Sequence, residues 1–233
     1  MGTSLEVKRK EIKYYINSSD AFAAMNALGQ ALDRDTHDKG QGYFIRSLYF
    51  DTLENRAFEE KMMGVERRKK YRLRLYDFNS KLVKFEVKKK FNDSIVKETL
   101  WLEKRDAKEV QKGNYEVLLG YDSPVARKIY AEFKTLCYKP VVVIDYVRSA
   151  FVYDFNNTRI TFDRGIRANS IDLNMFNKSL FMKPLLSDKL AVLEVKFNHF
   201  IPGWIKSVIQ MRSCHSAISK YCIGRLDNKI CWI

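Results

Sequence analysis

The chain has 233 residues, with 42 Lys+Arg against 28 Asp+Glu and a formal charge of +14. Hydrophobic residues make up 46%, which excludes a disordered chain and allows a sizeable core. The charge excess points to an acidic partner: nucleic acid, a membrane surface or a polyanionic small molecule.

Taken in order, alternation of apolar and polar residues predicts a first strand over Glu6–Tyr15. Ser18–Leu32 then starts with cap-type residues and repeats Phe22, Met25, Leu28 and Leu32 at helical spacing. Strands follow at Tyr43–Asp51, Lys70–Asp77, Leu82–Phe91 and Ile95–Leu102. The joins after Tyr76 and Phe91 are short and rich in Asn, Asp and Ser, which makes their neighbours antiparallel. A second helix opens with Ser123 as cap and Pro124 at its first position, and its stripe is Val125, Ile129, Phe133 and Leu136. Further strands are predicted at Val141–Asp154, Arg159–Arg164 and Leu190–Asn198, with a loop over Asn169–Asp188. The segment Gly203–Ile223 carries Trp204, Val208, Met211 and Ile218 at helical spacing. No internal repeat or linker divides the chain, so one domain over residues 1–233 is expected. The class is α+β: about eight antiparallel strands with flanking amphipathic helices, in a sheet long enough to curl or close.

Strand period sorts the charges onto faces. Arg72 and Arg74 share one face of their strand. Lys84, Glu86 and Lys88 share another, opposite Val83, Phe85 and Val87. Glu11 falls with Lys13, Glu194 with Lys196, Arg148 with Tyr146, and Arg159 with Thr161 and Asp163. An antiparallel sheet with one wet side gives the same alternation. Two features argue for an enclosed face instead. The charges sit mid-strand between strongly apolar neighbours, and cations outnumber acids on these faces, which repel unless an anion lies among them. Turned inward, such a face becomes a phosphate-sized cage: arginine meets phosphate with a planar fork and lysine acts as a point charge. The glutamates among them suit Mg²⁺ or Mn²⁺ that bridges phosphates.

No P-loop, dinucleotide fingerprint, nucleophile elbow or zinc-protease motif is present, so a phosphate enzyme would have to work without them. The four cysteines and three histidines lack metal-type spacing and read as free thiols and ordinary imidazoles in a reducing cytosol.

In sequence order, the segments "RKEIKYYI" from Arg9, "SLYFDT" from Ser47, "RRKKYRLRLY" from Arg67, "FEVKKKF" from Phe85, "VKETLW" from Val96, "DYVRSAF" from Asp145, "RITFDRGIRA" from Arg159, "LAVLEVKF" from Leu190, "PGW" from Pro202 and "SKYC" from Ser219 span almost the whole chain. Together they resemble the VTC domain, the catalytic domain of vacuolar transporter chaperone polyphosphate polymerases, in the triphosphate tunnel metalloenzyme superfamily. The resemblance implies a closed antiparallel β-barrel tunnel and ATP-dependent growth of polyphosphate, with ADP released. It implies phosphate binding by Lys13, Arg72, Arg74, Lys88, Lys97, Tyr146, Arg148, Arg159, Lys196, Ser219 and Lys220. Lys13, Arg72, Arg74, Lys88, Arg148, Lys196 and Lys220 would carry catalysis. Glu194 would hold Mn²⁺ or Mg²⁺, while Glu11 and Glu86 are either further metal ligands or partners that orient Lys13 and Lys88. The expected partners are ATP and polyphosphate or triphosphate, without nucleic acid. A membrane-protein partner in trans, and a cytoplasmic location, free or at the inner face of a membrane, complete the expectation. Yeast members add a phosphate-sensing domain and membrane spans that this sequence lacks.

Two alternatives stand beside this reading. Triphosphatases of related families open with E-x-E-x-K, where this chain has Arg9 in place of the first glutamate; fewer carboxylates favour transfer over hydrolysis. A non-enzymatic module for RNA or polyphosphate could stack bases on Tyr71, Tyr76 and Trp101.

Overall fold

The computed structural model describes residues 3–7, 10–91, 94–209, 214–215 and 218–226. Twelve strands and six α-helices follow in the order β1 (Thr3–Val7), β2 (Lys10–Asn17), α1 (Ser18–Gly29), β3 (Asp33–Arg34), β4 (Tyr43–Asp51), α2 (Arg56–Met62), β5 (Arg67–Leu75), β6 (Leu82–Phe91), β7 (Ser94–Glu103), α3 (Lys104–Lys112), α4 (Pro124–Thr135), β8 (Lys139–Tyr153), β9 (Thr158–Asn169), β10 (Lys183–Pro184), β11 (Leu190–Phe197), α5 (Gly203–Ile209), β12 (Cys214–His215) and α6 (Lys220–Leu226). The strands form one sheet in the order β1-β7-β6-β5-β4-β8-β9-β11-β2-β12, with β10 added to β9 and β3 to β8. Every described pairing is antiparallel.

The expected closed barrel is corrected here. Among the described residues no ladder joins β2 or β12 to β1 or β7, so the sheet is curled rather than hydrogen-bonded into a cylinder. The predicted strand Glu6–Tyr15 is two pieces that pair with opposite ends of the sheet, Val7 with Ile95 and Tyr15 with Val192. Val7 and Lys10 are only three Cα steps apart, about 11 Å at most, so the covalent chain holds the two ends near each other. A flat sheet would put β6 and β2 six ladder steps apart, roughly 29 Å. Instead Lys88 Nζ on β6 lies 3.1 Å from Glu11 Oε2 on β2.

Alternation on the strands then builds three apolar layers. On the convex face of β4–β7, Leu48, Phe50, Leu73 and Phe85 pack under α4 and its Ile129 and Phe133. On the convex face of β8, β9, β11 and β2, Phe151, Phe162 and Leu193 pack with Ala21, Met25 and Leu28 of α1 and Ile205 of α5. On the concave face, Ile45, Tyr49, Val142 and Ile144 pack with Phe58 of α2 and Tyr221 and Cys222 of α6. One end of the concavity is therefore filled by a helix.

Some local expectations fail for identifiable reasons. Phe22 is 62% exposed, because Ala21 and Ala24 let α1 lie close to the sheet and turn Phe22 outward. Ser123 precedes α4, but its hydroxyl makes no capping bond. The single helix expected over Gly203–Ile223 is two short ones, with Cys214–His215 pairing to β2 between them, and Met211 lies outside the described residues. Of the join after Phe91, residues 92–93 lie outside them, while Phe91 pairs with Ser94 across the expected antiparallel turn.

Phe133 is 1% exposed, with the rings of Tyr138, Tyr71, Tyr115, Phe50 and Phe85 at 4.6, 5.0, 5.0, 5.3 and 5.6 Å. Phe133→Ala is expected to cost about 3–5 kcal/mol, read as a fall in the urea midpoint. A loss below about 1 kcal/mol would mean that α4 is not part of the cooperative core.

Candidate phosphate-binding site

Directly opposed residues of antiparallel strands point to the same face, and the register carries the predicted site residues around the concave wall. Arg72 faces Glu86, and Lys88 faces Lys97. Arg148 faces Asp163. Glu194 lies between Lys13 and Thr161, and Lys196 between Glu11 and Arg159. Ser219 and Lys220 arrive at the start of α6.

Three carboxylate centres organise the cations. Glu86 is 1% exposed. Its Oε2 accepts from Arg72 at 2.7 Å and lies 3.4 Å from Arg74, and its Oε1 is paired with Lys97. Asp163 is fully buried and takes Arg148 through both oxygens at 2.6 and 2.7 Å, with Lys220 at 2.5 Å. Glu11 and Glu194 share their lysines. Lys13 is 2.6 Å from Glu11 and 3.9 Å from Glu194; Lys196 is 2.7 Å from Glu194 and 3.8 Å from Glu11. Lys88 completes this group from across the concavity.

Neutral groups fix the forks. Arg72 donates to Tyr49 Oη at 3.0 Å, and Arg74 donates to Ser47 Oγ at 3.2 Å and Tyr146 Oη at 3.1 Å. Arg159 donates to Asp35 at 2.6 Å and to Tyr43 Oη at 3.2 Å. Asp35 sits on a loop tied down by Asp38, whose carboxylate accepts from the backbone of Gly40, Gly42 and Ala150. Gly42 has φ +85°, and a Cβ there would meet the Arg148 carbonyl oxygen at 2.8 Å, so only glycine lets the loop approach. At the other end, buried Asp51 caps α2 by accepting from the backbone of Ala57 and Phe58, and Tyr221 of α6 donates to the same carboxylate. That bond sets where Ser219 and Lys220 stand.

Titration behaviour follows from burial against charge. Burial and Glu194 raise the Glu11 pKa, but Lys88, Lys13 and Lys196 outweigh them and bring it to about 2. Burial raises Asp163 and Arg148 and Lys220 pull it to about 2, while Glu194 is likewise held well below the usual carboxylate range despite its burial. These carboxylates stabilise the fold above their unfolded pKa near 4, and that contribution is lost as pH falls toward 2. Lys88 goes the other way: burial lowers it to about 8 although Glu11 opposes, with Lys196 and Lys13 adding repulsion. Burial raises the Tyr49 hydroxyl, but Arg72 and Arg74 bring it down to about 8.

Lys70 was not among the expected site residues. It lies at the same period as Arg72 and Arg74, and that period is the signal that finds it. It donates to Ser219 Oγ at 2.9 Å, sits 5.1 Å from the centre of the Tyr221 ring, and makes no ion pair among the described residues. Burial lowers its pKa to about 8. Asp163 likewise emerges as an organiser of Arg148 and Lys220. Lys84, between the rings of Tyr76 and Trp101, is a further concave cation. Tyr71 cannot stack a base: it is 1% exposed on the convex side and donates to Glu132. Arg9 lies outside the described residues.

Residues 8–227 match the VTC domain, and the chain belongs to that family. Among solved structures it is similar to a Hippeastrum protein described as a putative adenylyl cyclase with a dominant triphosphatase activity, at 14% identity, TM-score 0.57 and 96% coverage of each chain. It is also similar to a putative adenylate cyclase from Bacillus halodurans, at 12% identity, TM-score 0.49 and 88% coverage of each chain. No curated protein matches it in sequence.

Lysines near pKa 8 in the fold and about 10.4 unfolded bind fewer protons folded than unfolded between those values. The ligand-free protein should therefore gain stability from them as pH rises from 8 to 10. An anion bound among them restores their charge, so binding of tripolyphosphate at pH 8 should take up protons. Calorimetry in two buffers of different ionisation enthalpy measures this; identical heats would contradict it.

Proposed function

We propose that this chain is an ATP-dependent polyphosphate polymerase whose one domain spans residues 1–233. The observation that carries the reading is the concave face itself. Lys13, Arg72, Arg74, Lys88, Lys97, Arg148, Lys196 and Lys220 converge there on Glu11, Glu86, Glu194 and Asp163, and Lys70 stands beside them with no carboxylate partner among the described residues. That leaves a surplus of positive charge facing one space. Phosphoryl transfer asks mainly for alignment and charge neutralisation, which such a wall supplies. In the reaction, a terminal oxygen of the acceptor chain attacks the γ-phosphorus of ATP. The bond from that phosphorus to the β–γ bridging oxygen breaks, and ADP leaves with the electron pair.

Arg72, Arg74 and Arg148 are held by carboxylates and hydroxyls in fixed orientations, so they clamp phosphate without reorganising. Lys13, Lys88 and Lys196 neutralise the oxygens between donor and acceptor. Lys220 and Ser219 close the wall from α6. Glu86 orients its arginines. The described residues contain no group of three or more His, Cys, Asp or Glu able to hold a metal. Glu11 and Glu194 nonetheless offer two hard carboxylates in one cluster, which fits a Mg²⁺ or Mn²⁺ ion completed by phosphate and water oxygens. Held by these carboxylates, such an ion would supply positive charge against the charge that develops in phosphoryl transfer. We place Glu194 as its principal ligand.

Hydrolysis of triphosphate is the second reading, favoured by the fold shared with the Hippeastrum protein. Transfer is preferred because Glu11, Glu86, Glu194 and Asp163 are all engaged by cations. None is left free as a base for water, and an anionic phosphate nucleophile needs none. No described helix is long and apolar enough to cross a membrane. We place the enzyme on the cytoplasmic side, delivering polymer to a membrane protein in trans.

Glu194→Gln is expected to lower metal-dependent ATP turnover by about 10²-fold or more. Tripolyphosphate binding without metal should survive, since the variant removes a negative charge from an anion site. Products from ATP and Mn²⁺, seeded with short polyphosphate and resolved on a gel, distinguish the activities. A ladder with ADP supports the polymerase, and free phosphate without polymer supports hydrolysis. Unchanged turnover in the variant would remove Glu194 from the site.

A further inference from the structure

The β5–β6 ladder continues past the site as a run of like charges. Arg68 is directly opposite Lys90, Lys69 opposite Lys89, and Lys70 opposite Lys88. Like charges opposed across strands destabilise a sheet unless carboxylates offset them; Lys69, Lys89 and Lys88 have such partners, whereas Arg68 and Lys90 have none among the described residues. Period two divides them: Arg68 and Lys90 continue the concave row of Lys70 and Lys88, while Lys69 and Lys89 face outward. At the strand ends both rows line one groove of about 390 Å³, which also includes Arg56, Arg67 and the apolar sides of Phe91, Leu136 and Tyr138. The groove thus lies at the rim, where the Arg68–Lys90 pair is two residues along the ladder from Lys70 and Lys88.

Its acids are already committed. Glu60 pairs with Arg56 at 2.8 Å and Glu132 with Lys69 at 2.8 Å, while Lys89 reaches Glu98 at 2.5 Å. Among the described residues Arg67, Arg68 and Lys90 have no carboxylate partner. Arg68 donates to the Val65 carbonyl oxygen, and Arg67 lies over the Phe91 ring at 4.4 Å. The uncompensated charge therefore follows the same ladder as Lys70 and Lys88, an arrangement suited to an anionic chain.

We infer that this rim groove binds the distal part of a polyphosphate chain whose end is held inside the concavity. The inference rests on the polyphosphate reading of the site and adds to it a second contact region, selective for chain length. A triphosphate is held within the site and gains nothing from the groove. A long chain gains contacts at Arg67, Arg68 and Lys90. Each such contact releases counterions and steepens the salt dependence of binding.

The test compares tripolyphosphate with polyphosphate of about 100 units, by calorimetry at several salt concentrations, on the wild-type chain and on Arg68→Gln/Lys90→Gln. The wild type should bind the long chain more tightly per molecule and with a steeper salt slope. In the double variant the long-chain affinity should fall about tenfold and its salt slope by roughly 1.4, at about 0.7 per lost contact. Tripolyphosphate affinity should move less than about twofold, and the ligand-free melting temperature should rise as like-charge repulsion is relieved. Equal loss for both ligands, or no loss for the long chain, would overturn the groove while leaving the site intact. Loss of binding to anionic phospholipid vesicles, with long-chain affinity unchanged, would overturn it in favour of a membrane contact. Failure of the wild type to bind either phosphate would overturn both the groove and the site.

Discussion

The structure depends on carboxylates that hold mutually repelling cations on one concave wall. Glu86, Asp163 and the pair Glu11 and Glu194 each gather two or more ammonium or guanidinium groups at ion-pair distance. Taking such ions out of water costs several kcal/mol apiece, and the pairs recover this only with good geometry. The bidentate Arg148–Asp163 contact and the Arg72–Glu86 contact have that geometry. The wall still carries more positive than negative charge. Its charges are paired well enough to fold, and the surplus is what the proposed anion would neutralise.

The convex face makes this wall possible. Rings around Phe133 on one half and α1 with α5 on the other bury the apolar side of each strand, so charge need appear only on the concave side. Covalent connection keeps Val7 and Lys10 within about 11 Å, where no ladder among the described residues joins the ends of the sheet. Asp51, by capping α2 and receiving Tyr221, places α6 so that Ser219 and Lys220 face Lys70 and Asp163. Loop, cap and helix act at a distance from the charged concavity and still define it.

Much of this was legible in the sequence because strand period two is a strict rule. Arg72, Arg74, Glu86, Lys88, Arg148, Glu194 and Lys196 were assigned to faces from alternation alone, and the register brings those faces together. Strand ends were nearly right where apolar runs end in Asn, Asp or Ser. What alternation could not supply was closure. Whether a curled sheet joins its edges by hydrogen bonds depends on stagger between strands, and the break of Glu6–Tyr15 into two partners has no local signature. Phe22 illustrates a second limit: at helical spacing alone, small residues such as Ala21 cannot be told from the large neighbour they displace. Lys70 was missed although its period matched, because nothing local distinguishes an inward lysine from a rim lysine until α6 is in place.

The most direct test is the melting temperature of the ligand-free chain against tripolyphosphate and against sodium chloride at matched ionic strength. If the concave wall is an enclosed anion site, ligand at 100 times its dissociation constant adds about 2.7 kcal/mol, and the melting temperature rises well beyond the effect of salt. An equal rise with sodium chloride would contradict the account, since it would mean that the cations lie on a solvated face and need only screening.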